Sequence, residues 1–81
     1  MSSKHSLYEY HVDYIIKKDF DNDKLEKITF LKYSVFYEIL SRNNEPSIIE
    51  FNEFGAITKK VFYENDVLKR VEDYSRTAYF K

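Results

Sequence analysis

Apolar and polar residues alternate along residues 7–20. Tyr8, Tyr10, Val12, Tyr14, Ile16 and Phe20 share one parity, broken only by Lys18, while Glu9, His11, Asp13, Lys17 and Asp19 hold the other together with Ile15. A period of two is that of a strand with one buried face, so one long strand is expected here, with Tyr14 in the core and Ile15 on the more open side. Asp21, Asn22, Asp23 and Lys24 follow, a cluster that tolerates the positive φ of a tight hairpin turn.

Residues 25–40 read two ways. Asp23 with Glu26 could cap a helix whose stripe is Leu25, Ile28, Val35, Phe36 and Ile39. Register favours a strand instead. A two-residue Asn22–Asp23 loop faces Phe20 with Leu25, Ile16 with Thr29, Tyr14 with Leu31, Val12 with Tyr33, Tyr10 with Val35 and Tyr8 with Tyr37. The other face then pairs Asp13 with Lys32 and His11 with Ser34. The unfavourable matches are Lys18 with Lys27 and Asp19 with Glu26, and arms this long invite a bulge. Asn43, Asn44, Glu45 and Pro46 break the chain, and a loop there would set Ile39 opposite Ile49 and Tyr37 opposite Phe51. A turn at Phe54–Gly55, a strand over 57–63, a turn at Asn65–Asp66, a strand over 67–72 and a short strand over 77–80 complete the pattern. The expectation is an all-β, antiparallel meander of five or six strands made of consecutive hairpins, the first one long, in a single domain over 1–81 whose residues 1–6 are unstructured.

Composition sharpens this picture. Eight Tyr and seven Phe in 81 residues are more aromatic rings than a small core usually holds, and one Gly and one Pro leave Asn and Asp to make the turns. Thirteen Lys plus Arg against 14 Asp plus Glu give no cationic surplus for a polyanion. The absence of cysteine excludes disulfides, thiolate metal sites and thiol catalysis. No apolar run suits a membrane span or export signal, so a cytoplasmic protein is expected.

The segment from Asp21 through Asn22, Asp23, Lys24, Leu25, Glu26 and Lys27 to Ile28 recurs 43 positions later as Glu64, Asn65, Asp66, Val67, Leu68, Lys69, Arg70 and Val71, with a looser copy from Glu53 to Ile57. Each unit is a turn followed by a strand. Arg42 to Phe51, then Phe54–Gly55, then Val61 to Arg70 resemble the degenerate tandem β-hairpin repeats of bacterial and phage proteins, which overlap the MORN-like antitoxin-component repeats. The likeness covers residues 41–80. The chain departs from it by Glu45 and Asp66 at positions where the pattern prefers Gly, and by Lys69 where it prefers His. The resemblance implies interaction rather than catalysis: antitoxin, immunity or phage accessory roles, with no catalytic residues to carry over.

Chemistry-bearing residues are sparse. His5 and His11 are the only side chains that ordinarily titrate near neutrality, and a His11–Ser34 pair lacks the Gly-rich turn that would build an oxyanion hole. Asp19, Asp21 and Asp23 lack the central Gly and final Glu of a calcium loop. Lys17–Lys18, Lys59–Lys60 and Lys69–Arg70 alternate across strands and have acids beside them, which counts against nucleic acid. No catalytic, cofactor or metal residues are assigned.

The aromatic surplus points instead to a recognition surface. A partner-binding set is expected at Phe30 and Phe36, supported by Asp13 and Lys32, with Phe62 and Tyr63 as a second cluster. The expected partner is a protein, a toxin or a defence enzyme, blocked by surface occupation. An anti-CRISPR-like phage inhibitor and a sheet that binds single-stranded nucleic acid are the alternatives. A homodimer is expected to cover the sheet's second apolar face.

Overall fold

The computed structural model describes residues 3–74. It contains one antiparallel sheet of six strands in chain order, with no helix among the described residues: β1 (Lys4–Tyr10), β2 (Ile15–Asp21), β3 (Lys24–Leu31), β4 (Ile48–Phe51), β5 (Ile57–Glu64) and β6 (Val67–Asp73). The expected hairpin meander is therefore the observed fold. The short strand anticipated at 77–80 lies outside the described residues.

Six strands arise because the first expected strand is two. The chain reverses at Val12–Asp13, where the His11 N–H donates to the Tyr14 carbonyl at 2.8 Å, and β1 pairs with β2 from Lys4 opposite Asp21 to Tyr10 opposite Ile15. Continuous alternation conceals such a turn because the apolar-polar sequence runs through it unbroken while the even-numbered residues change face, so that Tyr10 shares a face with Ile15 rather than with Tyr14 and Ile16. The cross-strand matches of Val12, Tyr10 and Tyr8 with residues 33–37 are accordingly absent. Residues 4–6, read from sequence as unstructured, belong to β1.

The Asn22–Asp23 turn forms as expected, with φ of 52° and 66°, the positive pair that a type I′ turn requires. Phe20 faces Leu25, but one residue further the register slips: Asp19 faces Lys27, Lys18 faces Ile28, Ile16 faces Phe30 and Ile15 faces Leu31. Glu26 is the extra residue, and the slip exchanges both like-charge matches for Asp19 opposite Lys27. It also brings Ile15 onto the face of Leu31 and Thr29, where the three are 1%, 6% and 8% exposed. Ile15 is thus the core residue and Tyr14 is half-buried, the reverse of the parity expectation.

The same geometry recurs. The β5–β6 turn holds Asn65 and Asp66 at φ 53° and 64°, and its bulge falls on Lys69, which leaves Phe62 opposite Arg70 and Tyr63 opposite Leu68. Between β4 and β5, Asn52 Oδ1 accepts the Phe54 and Ala56 N–H groups at 2.9 and 3.0 Å, Gly55 takes φ 83°, and the bulge falls on Thr58. The sequence repeat is therefore a repeat of turn plus bulge.

Residues 32–47 do not form the expected continuation of the long hairpin. The chain turns back on itself so that Leu31 bridges Ile39, then leaves the sheet at residues 41–46 before rejoining β3 as β4. Ile49 consequently faces Ile28 rather than Ile39. Arg42 ties this excursion down, donating to the Pro46 carbonyl and Glu45 Oε1 at 2.9 and 2.8 Å with its guanidinium 3.9 Å above the Phe30 ring. Ser47, fully buried, donates its hydroxyl to the Leu40 carbonyl at 2.6 Å.

Candidate functional site

The described residues form no second layer, so the sheet must cover its faces with its own side chains. On the face of Phe30 and Phe62 this is done by arginines: Arg42 lies over Phe30 and Arg70 over Phe62, each 3.9 Å from the ring centroid. Guanidinium planes over aromatic faces are favourable electrostatically and cover apolar area with a wettable edge. Phe62 is only 5% exposed and Phe30 is half-buried. Both rings serve the core, so neither offers its face to a partner in this arrangement.

The exposed aromatics gather elsewhere, at the end of the sheet where residues 33–37 loop out. Val35 and Phe36 form the tip at 87% and 83% exposure. Local bonds define the loop: Ser34 Oγ accepts the Phe36 and Glu38 N–H groups at 3.2 and 3.3 Å, the Lys32 N–H donates to the Glu38 carbonyl at 2.9 Å, and Tyr37 is held at φ 51°. A bulky residue in the left-handed region is uncommon and signals a backbone fixed by its surroundings. Tyr33 Oη reaches across to donate to the His11 carbonyl at 2.5 Å, joining the loop to the β1–β2 turn.

Beside this tip lie Tyr8 and Tyr10 on β1. Tyr37 sits 6.3 Å from Tyr8 and Tyr10 6.4 Å from it, centroid to centroid, and all three rings are exposed. Val12, at the adjacent turn, is 94% exposed. Together these residues make an apolar corner edged by Asp13, Glu38 and Asp66. Lys32 anchors the corner's far side: its ammonium holds Asp66 at 2.8 Å with Glu38 at 4.0 Å, which raises the Lys32 pKa and holds the Asp66 carboxyl below its ordinary value.

Of the six residues expected to bind a partner, Asp13, Lys32, Phe36 and Tyr63 come to this end of the sheet; Tyr63 shares a shallow depression with Tyr37, Glu38, Ile39 and Asp66. Asp13 and Lys32 do not pair, because the strand that would align them is broken at Val12–Asp13. The tyrosines Tyr8, Tyr10, Tyr33 and Tyr37 were not distinguished by sequence, where their parity reads as core. The run Val35–Phe36–Tyr37 carries no such signal, since runs of the same length occur at Tyr14–Ile15–Ile16 and, within β5, at Val61–Phe62–Tyr63.

Many of the remaining titratable groups are engaged in pairs. His5 stacks on Phe20 at 5.1 Å and His11 on Tyr14 at 4.6 Å, so His11 does not meet Ser34. Lys18 bonds Glu9 and depresses its pKa, with His11 3.6 Å away adding to the effect. Lys17 approaches Asp19, Lys59 approaches Glu50, Lys69 bonds Glu64 and Arg70 bonds Glu72. The Tyr74 hydroxyl bonds Glu72, lowering the carboxyl pKa and raising the phenol's. Among the described residues no cluster of three or more His, Asp or Glu side chains is placed to hold a metal ion. No helix in them is long and apolar enough to cross a membrane. The chain matches no protein-family model, no curated protein and no solved structure.

Proposed function

We propose that this protein is a non-enzymatic binding module that blocks a partner protein by covering part of its surface, as a small inhibitor, antitoxin or immunity protein does, and that the aromatic corner is what it presents. The observation that carries this reading is the Val35–Phe36 tip, four-fifths or more exposed yet fixed by the Ser34 and Tyr33 bonds. A rigid aromatic tip beside three tyrosines loses little conformational freedom on binding and supplies the anchors on which interface energy concentrates. A toxin or a phage-defence enzyme is the partner class that accords with the hairpin-repeat resemblance.

Affinity capture from the native host with the wild-type chain and Phe36→Ala in parallel tests it, followed by calorimetry with the purified partner. Truncating Phe36 should weaken binding by at least about tenfold, more than about 1 kcal/mol, with an unchanged thermal melt. Equal retention by both chains, or a salt-dependent shift of single-stranded DNA in place of any protein partner, would reject the proposal.

A further inference from the structure

The two edges of the sheet differ in how they meet solvent. β6 carries the Lys69 bulge within its length and the basic pair Lys69–Arg70, devices that blunt an open edge. β1 carries neither. Its seven residues pair with β2 without a register shift, the chain's one proline lies elsewhere, and every β1 residue is exposed, Leu7 at 54% and Tyr10 at 64%. No described strand covers its outer side.

Which backbone groups are free follows from alternation. Ser3 accepts from the Asn22 N–H at 2.9 Å and His11 donates to Tyr14 at 2.8 Å, so the odd-numbered residues bond inward to β2. The N–H and C=O groups of Lys4, Ser6, Tyr8 and Tyr10 therefore point outward. Two copies of β1 running antiparallel can bond only through these. With the two-fold axis at Leu7, Ser6 faces Tyr8 and Lys4 faces Tyr10, and all four outward residues of each copy are used. On one face Leu7 then meets Leu7 and His5 meets Glu9; on the other Ser6 meets Tyr8 and the Lys4 ammonium meets the Tyr10 ring. No like charges face each other. Moving the axis to Ser6 or to Tyr8 leaves outward residues unpaired and sets Leu7 against His5 or Glu9.

We infer that the outer edge of β1 is a self-pairing site at which a second copy of this chain adds its own β1 antiparallel, Leu7 opposite Leu7, to give one continuous sheet. Tyr8 of each copy becomes a diagonal neighbour of the other, roughly 7 to 8 Å apart, so the two Tyr8–Tyr10–Tyr37 groups merge on one face. The pairing rests on the β1 edge and not on what the Phe36 tip binds, although the merged tyrosines belong to the same corner.

Sedimentation of the full chain across the micromolar range should show twice the 9.9 kDa monomer mass. Tyr8→Pro deletes an outward N–H and spares the β1–β2 bonds, so it should yield a monomer with unchanged sheet circular dichroism. A second variant keeps the test decisive if that chain fails to fold. Facing residues that do not exchange hydrogen bonds lie about 4.5 Å apart at Cα, within disulfide reach, and the wild-type chain has no cysteine. Leu7→Cys should therefore oxidise to a covalent dimer and Val71→Cys on β6 should not. A monomeric wild type at every concentration, a folded Tyr8→Pro that still dimerises, or cross-linking through Val71→Cys instead of Leu7→Cys would each overturn the inference.

Discussion

The hairpins β2–β3 and β5–β6 are built alike and end differently. Both turn through Asn–Asp with two positive φ angles, both follow the turn with an aromatic facing leucine (Phe20 with Leu25, Tyr63 with Leu68), and both insert one bulge residue, Glu26 or Lys69. Yet Leu25 is half-buried and Leu68 is 53% exposed, because β2–β3 lies between β1 and β4 while β5–β6 ends the sheet. Turn and bulge are local properties, set by residues within a few positions of each other. Burial is a property of the neighbours, and it decides which copy of the repeat holds the core.

The sharpest test of that difference is truncation of equivalent strands. Leu31→Ala or Ile15→Ala, in the inner hairpin, should cost about 2 to 4 kcal/mol, a large part of the stability of so small a domain. Leu68→Ala should cost less than about 1 kcal/mol, since its side chain is already half in water. Urea melts of the three variants give the comparison directly. A Leu68→Ala cost equal to that of Leu31→Ala would mean that β6 is covered in solution and that the two hairpins are not distinct in burial.

A smaller effect separates the turns. Asp23 and Asp66 both occupy the second left-handed position of a type I′ turn, where glycine is preferred. Asp23→Gly should stabilise the fold by about 0.5 to 1 kcal/mol by relieving the Cβ conflict. Asp66→Gly should gain less, because it also releases the Lys32 ammonium that Asp66 holds at 2.8 Å. Thermal melts ranking Asp66→Gly above Asp23→Gly would show that this ion pair contributes nothing to the turn.

What the sequence revealed follows the same division between local and contextual. Asn22–Asp23 and Asn65–Asp66 were legible as turns, as were β5 and most of β6, because the required backbone conformation restricts the residue type at each position. The Val12–Asp13 reversal was not legible: it uses no positive φ and the apolar-polar alternation runs through it unbroken, although the turn moves the even-numbered residues to the other face. That one turn displaced every match of residues 8–14 and turned an exposed edge into an apparent core strand. The bulge at Glu26 was foreshadowed by the length of the expected arms and by the two like-charge pairs it removes. For the candidate site, Phe36 could be read from sequence, whereas Phe30 and Phe62 could not be sorted from it, because the arginines that roof them come from residues 12 and eight positions away.

The smallest expected effect concerns the tie between the loop end and the outer hairpin, which has no counterpart at Asp23. Lys32 reaches from the end of β3 to Asp66 in the β5–β6 turn, and the Asp66 N–H takes a further bond to Ser41 Oγ at 2.7 Å. In the folded chain the Asp66 pKa is lowered, first by the hydrogen bond from Lys32, and the Lys32 pKa is raised, first by the same bond. A carboxyl whose folded pKa lies below its unfolded one stabilises the fold above the unfolded value, and that stabilisation is lost as pH falls through the folded one. An amine whose folded pKa is raised stabilises it below the unfolded value, and loses this as pH rises through the folded one. The pair should therefore act between the ordinary carboxylate range and the ordinary lysine range. Being solvent-exposed, it should be screened by salt. Asp66→Asn should lower Tm slightly at neutral pH in low salt, and its deficit relative to wild type should vanish in acid and shrink in high salt. Asp23→Asn, at the matching turn, removes no Lys32 contact and serves as the control for the turn backbone. A deficit for Asp66→Asn that persists unchanged below the carboxylate range would assign the effect to the turn backbone, making the two hairpins alike in this respect as well.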